Sequence, residues 1–101
     1  MNLYLISQND NRGYDTYDSA VVAAESEAQA RAIHPNGSVL TRANMDKDIW
    51  EERDYYKQVW KPVHECSNDW SSQPSRVSVT LIGTAVDGTS AGVICASFNA
   101  G

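Results

Sequence analysis

The chain has 101 residues and a formal net charge of −5 at pH 7, with a pI near 4.7. Hydrophobic residues make up 42% and charged residues 21%, a balance typical of a folded protein with one core rather than two. A surface that is negative on average repels phosphate backbones and anionic lipid headgroups. We therefore expect a single domain over residues 1–101 that binds neither duplex nucleic acid nor membranes.

The first residues indicate the compartment. Met1 to Tyr4 lead directly into a strand-like run, without the basic segment and long apolar stretch of a signal peptide. The longest wholly apolar run, Ala20–Ala24, is too short to cross a bilayer. We expect a cytosolic protein, and the reducing environment of the cytosol favours free thiols at Cys66 and Cys95.

Two strands are predicted before the first helix. Residues 2–8 place apolar side chains on both faces of an extended segment, which indicates an inner strand. Asn9–Gly13 is rich in turn-forming residues, and the β-branched residues of Ala20–Ala24 favour a second strand. Ser26 and Gln29 then match a capping box, so a short helix is expected to begin at residue 27 and end before Pro35.

The middle of the chain is predicted to be an inserted helical and irregular segment at about residues 39–75. Within Asp46–Trp60, four apolar residues lie at offsets of 0, 7, 10 and 11, as on one face of a helix. They are Ile49, Tyr56, Val59 and Trp60. We expect this helix to end at Pro62.

The C-terminal third predicts two strands. Residues 77–82 alternate in polarity and Val93–Phe98 has apolar residues on both faces, with Asp87-Gly88 as a turn between them. We expect a hairpin, with Val93–Phe98 inside the sheet beside the first strand. The element order β-β-α-α-β-β predicts an α+β fold, a mainly antiparallel four-stranded sheet with helical cover.

The loop "GYDTYDS" at residues 13–19 is the best candidate surface. Asp15 and Asp18 are too few for a cation site, and they fit side-chain turns with Tyr14 and Tyr17 packed at the sheet end. Alternatively, the tyrosines offer flat contact surfaces for a base or a protein. Neighbouring Gln8, Asn11 and Arg12 would then supply hydrogen bonds and a positive charge.

Residues with metal-binding or nucleophilic chemistry are sparse. His34, His64, Cys66 and Cys95 lack the paired spacing of zinc sites, and Cys95 lies in a strand-like run where a small buried residue is expected. The sequence contains no glycine-rich phosphate loop and no nucleophile elbow. We expect neither a bound metal nor a cofactor, and no enzymatic activity.

The segments "NLYLISQ", "GYDTYDSAVVAA", "SEAQARAIHP" and "GVICASFNAG" together resemble a family of small proteins encoded by bacteriophages and prophages. The resemblance covers residues 1–37 and 72–101, and residues 39–68 look like an expansion. It implies a phage setting, in which small acidic proteins without catalytic motifs resemble counter-defence factors.

We therefore expect a non-catalytic phage protein that sequesters a small nucleotide-type signalling ligand, as a homo-oligomer. The ligand-binding residues expected are Arg12, Tyr14, Asp15, Tyr17, Asp18, Arg42, Ser97 and Asn99. The alternative is an acidic inhibitor, similar to an anti-CRISPR protein, that docks on a host defence protein through the helix at 46–60. Its contact residues would be Trp50, Glu51, Glu52, Tyr55 and Tyr56. A phage structural or accessory role stays open.

Overall fold

The computed structural model describes residues 1–64 and 67–100. These residues form the elements β1 (Asn2–Ser7), β2 (Thr16–Ala24), α1 (Glu27–Arg31), β3 (Thr41–Asn44), β4 (Ile49–Asp54), β5 (Val59–Pro62), β6 (Ser78–Thr84) and β7 (Gly92–Asn99). The strands form two antiparallel sheets, one in the order β6-β1-β2-β7 and the other in the order β3-β4-β5. The molecule is a small, mostly antiparallel α+β domain, but it has much less helix than predicted.

The apolar residues of β1 explain its central position in the first sheet. β1 pairs with β2 on one side and with β6 on the other, as expected of a strand with apolar side chains on both faces. Tyr4 and Ile6 lie opposite Val22 and Ala20, and all four side chains are buried. They form the face of the sheet that lies against the core.

The capping residues fix the start of α1. Ser26 Oγ accepts a hydrogen bond from Gln29 N at 3.1 Å, so the helix begins where the sequence predicted. The reciprocal bond differs from an ideal capping box, because Gln29 Oε1 accepts from Glu25 N at 2.6 Å. The helix packs against β1, β2 and β6. No helix in the described part of the chain is long and apolar enough to cross a membrane.

The predicted helix at 46–60 is wrong, because this segment forms β4, β5 and the turn between them. Asn44 and Asp54 accept hydrogen bonds from backbone N–H groups of the turns that follow them. Each turn ends with a residue of positive φ, 54° at Asp48 and 57° at Gln58. These local bonds stabilise turns in competition with a helix. The middle of the chain therefore contains a second sheet in place of the predicted helix.

The predicted C-terminal hairpin is also wrong. β6 and β7 lie at opposite edges of the first sheet, separated by β1 and β2. The backbone N–H of Ala85 donates to the carbonyl of Met1 at 3.0 Å, which keeps the chain beside β1 to the end of β6. The turn residues at 87–88 are present, with φ of 89° at Gly88. They reverse the chain without pairing the two strands that flank them.

Aromatic residues join the two sheets. Trp70, in the connection between β5 and β6, is fully buried, and Trp50 of β4 is almost fully buried. The ring of His34 lies 5.1 Å from the Trp50 ring of the second sheet, 6.4 Å from the Tyr17 ring of the first sheet and 6.5 Å from the Trp70 ring, measured between centroids. The second sheet thus helps to cover the part of the first sheet's apolar face that the short helix leaves uncovered.

Burial controls the charge of His34. Its Nδ1 accepts from Asn36 N at 3.1 Å, so the neutral ring carries its proton on Nε2, 3.4 Å from a carboxylate oxygen of Asp69. Burial lowers the pKa of His34 from 6.5 to about 4 and raises the pKa of Asp69. The ring is therefore neutral at pH 7, and its contact with Asp69 is not an ion pair.

We predict that the free energy of unfolding falls as the pH is lowered from 6.5 to about 4. In this window an unfolded histidine binds a proton and buried His34 does not, so protons favour the unfolded state. The loss between the two limits is roughly 3 kcal/mol, and chemical denaturation at a series of pH values measures it.

Two variants separate His34 from the rest of the chain. His34→Asn, which keeps an acceptor for Asn36 N, should lose most of this pH dependence. His64→Gln, at an exposed position, should retain it. An equal slope in both variants would show that other groups cause the loss.

Candidate functional site

Gln8 organises the loop between β1 and β2. Its side chain is buried and makes four hydrogen bonds. Nε2 donates to the carbonyl of Asn11 at 2.5 Å and to that of Tyr17 at 2.9 Å, and Oε1 accepts from the backbone N–H groups of Asp10 and Asn11. Both polar ends of one amide are satisfied, so the loop is held in one conformation.

Asn11 fastens this loop to the core. Its Nδ2 donates to the carbonyl of Asn68 at 3.1 Å and to that of Trp70 at 2.8 Å. The backbone N–H of Tyr17 donates to the carbonyl of Asp69 at 2.8 Å on the other side of the loop. The position of the loop therefore depends on the buried connection between β5 and β6.

The end of β7 closes the loop from a third direction. Asn99 Nδ2 donates to the carbonyl of Gly13 at 3.0 Å, and the carbonyl of Asn99 accepts from Asp15 N at 2.6 Å. Thr16 Oγ1 donates to the same Gly13 carbonyl at 2.7 Å. Asp15 has a φ of 59°, a value that aspartate tolerates in turns.

These contacts form a cleft of about 250 Å³ at the end of the first sheet. It is lined by Gln8, Asn11, Arg12, Thr16, Asp18 and Asn99. The amide groups of Gln8 and Asn11 are used within the protein, whereas Arg12 and Asp18 are exposed and bring opposite charges to the cleft. The volume lies below that of typical sites for drug-sized ligands, so the cleft can hold only a small molecule or one part of a larger molecule.

The structure brings together three of the eight predicted ligand-binding residues, namely Arg12, Asp18 and Asn99. Tyr14 and Asp15 lie in the same loop, and Tyr14 is 79% exposed. Tyr17 is half-buried and packs on Phe98, with ring centroids 4.8 Å apart, so its ring belongs to the core rather than to an open surface. Ser97 is exposed on β7 and does not line the cleft.

Arg42 lies away from this cleft, in β3 of the second sheet. Its guanidinium donates to Glu51 at 3.0 Å and stacks over the Trp60 ring at 4.2 Å from the centroid. Glu51 is nearly buried beneath it. These contacts give Arg42 a structural role, in addition to a place in a shallow cleft beside Asn44 and Asp46.

The predicted partner-binding residues do not form one surface, because the helix that would have aligned them is absent. Trp50 and Glu51 are buried, and Glu52 lies 3.9 Å from Lys61. Tyr55 and Tyr56 are 74% and 92% exposed in the turn between β4 and β5, with their rings 5.6 Å apart.

In the part of the chain that the structure describes, the residues that could bind a metal or act as a nucleophile do not lie together. Among those residues, no three side chains of His, Cys, Asp or Glu are grouped so that they could hold a metal ion. Glu65 and Cys66 lie outside the described residues. Cys95 is exposed, whereas the sequence predicted a buried thiol.

Comparisons with protein-family models, with curated proteins and with solved structures returned no match. The role of the cleft therefore has to be argued from the residues that line it. Sequence reasoning anticipated Gln8 and Asn11 near the loop but missed Thr16. The signal for Thr16 was its position three residues after Gly13, the spacing at which a threonine hydroxyl bonds a turn carbonyl.

We predict that Arg42→Ala destabilises the protein without affecting the cleft. The change leaves the Glu51 carboxylate nearly buried and without its cation, at a cost of about 2 kcal/mol or more in unfolding free energy. Chemical denaturation measures this cost. Lys61→Ala, which removes an exposed cation that pairs only at 3.9 and 4.0 Å, is the control and should cost less than about 1 kcal/mol. Equal effects would contradict the role given to Arg42.

Proposed function

We propose that this protein is a non-catalytic binding protein that holds a small nucleotide-type ligand in the cleft at the end of the first sheet. The observation that carries the proposal is the convergence of Arg12, Asp18 and Asn99, from two segments of chain, on one cleft. Asp18 and Asn99 lie on strands β2 and β7, and the loop that carries Arg12 is fixed by hydrogen bonds before any ligand arrives. A fixed site loses less entropy when it binds.

The charges in the cleft favour a ligand with both an anionic group and hydrogen-bond donors. The planar guanidinium of Arg12 suits a phosphate, which it can bind through two parallel hydrogen bonds. The carboxylate of Asp18 suits a ribose hydroxyl or a base amino group as its donor. The exposed ring of Tyr14, in the same loop, offers a face on which a base can stack.

The chemistry of the lining residues supports binding without turnover. The cleft is lined by no histidine or cysteine among the described residues, and the Thr16 hydroxyl donates to a backbone carbonyl instead of to a base. A ligand held here would be released unchanged. In the phage setting that the sequence resemblance implies, such binding would remove a host signalling nucleotide from the cytosol, which is a counter-defence role.

We predict that calorimetry with a panel of linear and cyclic nucleotides finds at least one ligand for the parent protein. Arg12→Gln should weaken its binding about tenfold or more, because a charge-assisted contact contributes 1.5–3 kcal/mol. Mass spectrometry should recover the nucleotide intact.

Arg53→Gln is the matched control, because it removes the same charge from the second sheet, where Arg53 contacts Gln58 and the Trp60 ring. It should bind like the parent. The proposal fails if no nucleotide binds the parent, or if both variants lose affinity equally.

A second candidate function, docking on a basic host protein, is supported by the exposed tyrosines of the β4–β5 turn. Tyrosine rings contribute strongly to protein interfaces. Tyr55 and Tyr56 lie together in a turn in which the Asp54 carboxylate accepts hydrogen bonds from the backbone N–H groups of Tyr56 and Lys57. The net charge of −5 would attract a basic partner.

We predict for this alternative that host protein captured from a lysate at low salt is lost at high salt, because salt screens the attraction. Tyr55→Ser with Tyr56→Ser should abolish capture, whereas Tyr14→Ser should not. Capture that survives the double substitution would contradict docking through this turn.

A further inference from the structure

Strand β7 has a neighbour on one side only. It pairs with β2, and no other described strand pairs with its outer side. Its eight residues, "GVICASFN", include no charged residue and no proline. An outer strand presents a row of unpaired N–H and C=O groups, which proteins usually protect with charges, proline or a covering element.

The side chains of β7 are exposed on both faces of the sheet. Cys95 lies opposite Val21 on the face away from the core, and Ala96 lies opposite Ala20 on the core face. Both are exposed, and the larger side chains Ile94 and Phe98 remain 53% and 47% exposed. β7 therefore has the apolar pattern of an inner strand, but it lies at the edge of the sheet, where no described strand covers its outer side.

The other strand edges in the described part of the chain are better protected. β3 contains Arg42, and β5 contains Lys61 and ends at Pro62. β6 has no charged residue, but α1 packs against it and Arg31 Nε donates to the carbonyl of Val77 just before it. β7 is thus the least protected edge.

We propose that β7 pairs antiparallel with β7 of a second copy of this chain, so that two four-stranded sheets join into one. A twofold axis at Ala96 places Cys95 opposite Ser97 of the second copy and Ile94 level with Phe98 of the second copy. Ile94 lies at the register shift in the pairing of β7 with β2, where Val21 pairs with Cys95 and Val22 with Val93. Aliphatic and aromatic side chains opposite each other stabilise a sheet, and no charge opposes another charge. Pairing of the same strand from each copy closes with two subunits, whereas β7 on β6 would propagate into a fibre.

This interface differs from a charged docking surface in its response to salt. Each copy carries a net charge of −5, so two copies repel one another at long range, and the contact itself is apolar and backbone-mediated. Salt screens the repulsion. Dimerisation should therefore become stronger as the salt concentration rises. The inference depends on β7 alone and not on the ligand proposed for the cleft.

The test places a charge at Ala96, the residue on the proposed twofold axis, with either sign. Sedimentation should give the parent protein as a dimer of the 11.1 kDa chain, and Ala96→Lys and Ala96→Glu as monomers, because each variant places like charges opposite each other. An equimolar mixture of the two variants should restore the dimer. Thr80→Lys, which puts the same charge on exposed β6, should remain dimeric.

Thermal melts establish that each variant is folded before it is compared. A monomeric parent at high protein and salt concentration would overturn the proposal. So would a mixture that stays monomeric, because residue 96 would then not face its own copy. Loss of the dimer in Thr80→Lys, with Ala96→Lys still dimeric, would move the interface to β6 and also overturn it.

Discussion

The apolar face of the first sheet needs more cover than α1 can give. At 1.5 Å per residue, a five-residue helix is about 7.5 Å long, whereas a nine-residue strand such as β2 is about 30 Å long. The remaining cover comes from Trp50, Trp70 and the neutral ring of His34. Each of these side chains belongs to a different segment of chain, so their contact fixes how the second sheet and the long connection lie on the first.

This aromatic contact also costs free energy, because it buries polar groups. The indole N–H groups of Trp50 and Trp70 are buried and have no hydrogen-bond partner among the described residues, which costs about 1–3 kcal/mol for each group. Burying two indole rings contributes more than this through apolar area and ring contacts. The connection that carries Trp70 is also held by one carboxylate from the β1–β2 loop and one from the turn between β3 and β4. Asp10 accepts from Ser72, and Asp48 accepts from Ser75.

Local signals predicted β1, the start of α1 and the turn after β1, because each depends on residues close in sequence. The second sheet could have been found from a repeat of ten residues. Asn44 and Asp54 each begin a turn, and Trp50 and Trp60 each follow six residues later in a strand. The helical spacing of apolar residues in this segment was a coincidence of side chains that lie on different strands. The order of the first sheet could not be predicted, since a turn signal does not specify which strands pair.

The cleft was predicted in part for the same reason. Arg12 and Asp18 were found because they lie close together in sequence. Arg42 lies away from the cleft, and sequence does not show that its charge is paired with Glu51. What sequence reasoning missed is that most polar groups of the loop hold the loop itself. The side-chain amides of Gln8, Asn11 and Asn99 donate hydrogen bonds to backbone carbonyls. In the proposed binding role, recognition would therefore rest on the exposed cation of Arg12 and the exposed carboxylate of Asp18. Inorganic phosphate satisfies only the cation, whereas a nucleotide with its hydroxyl and amino donors can satisfy both.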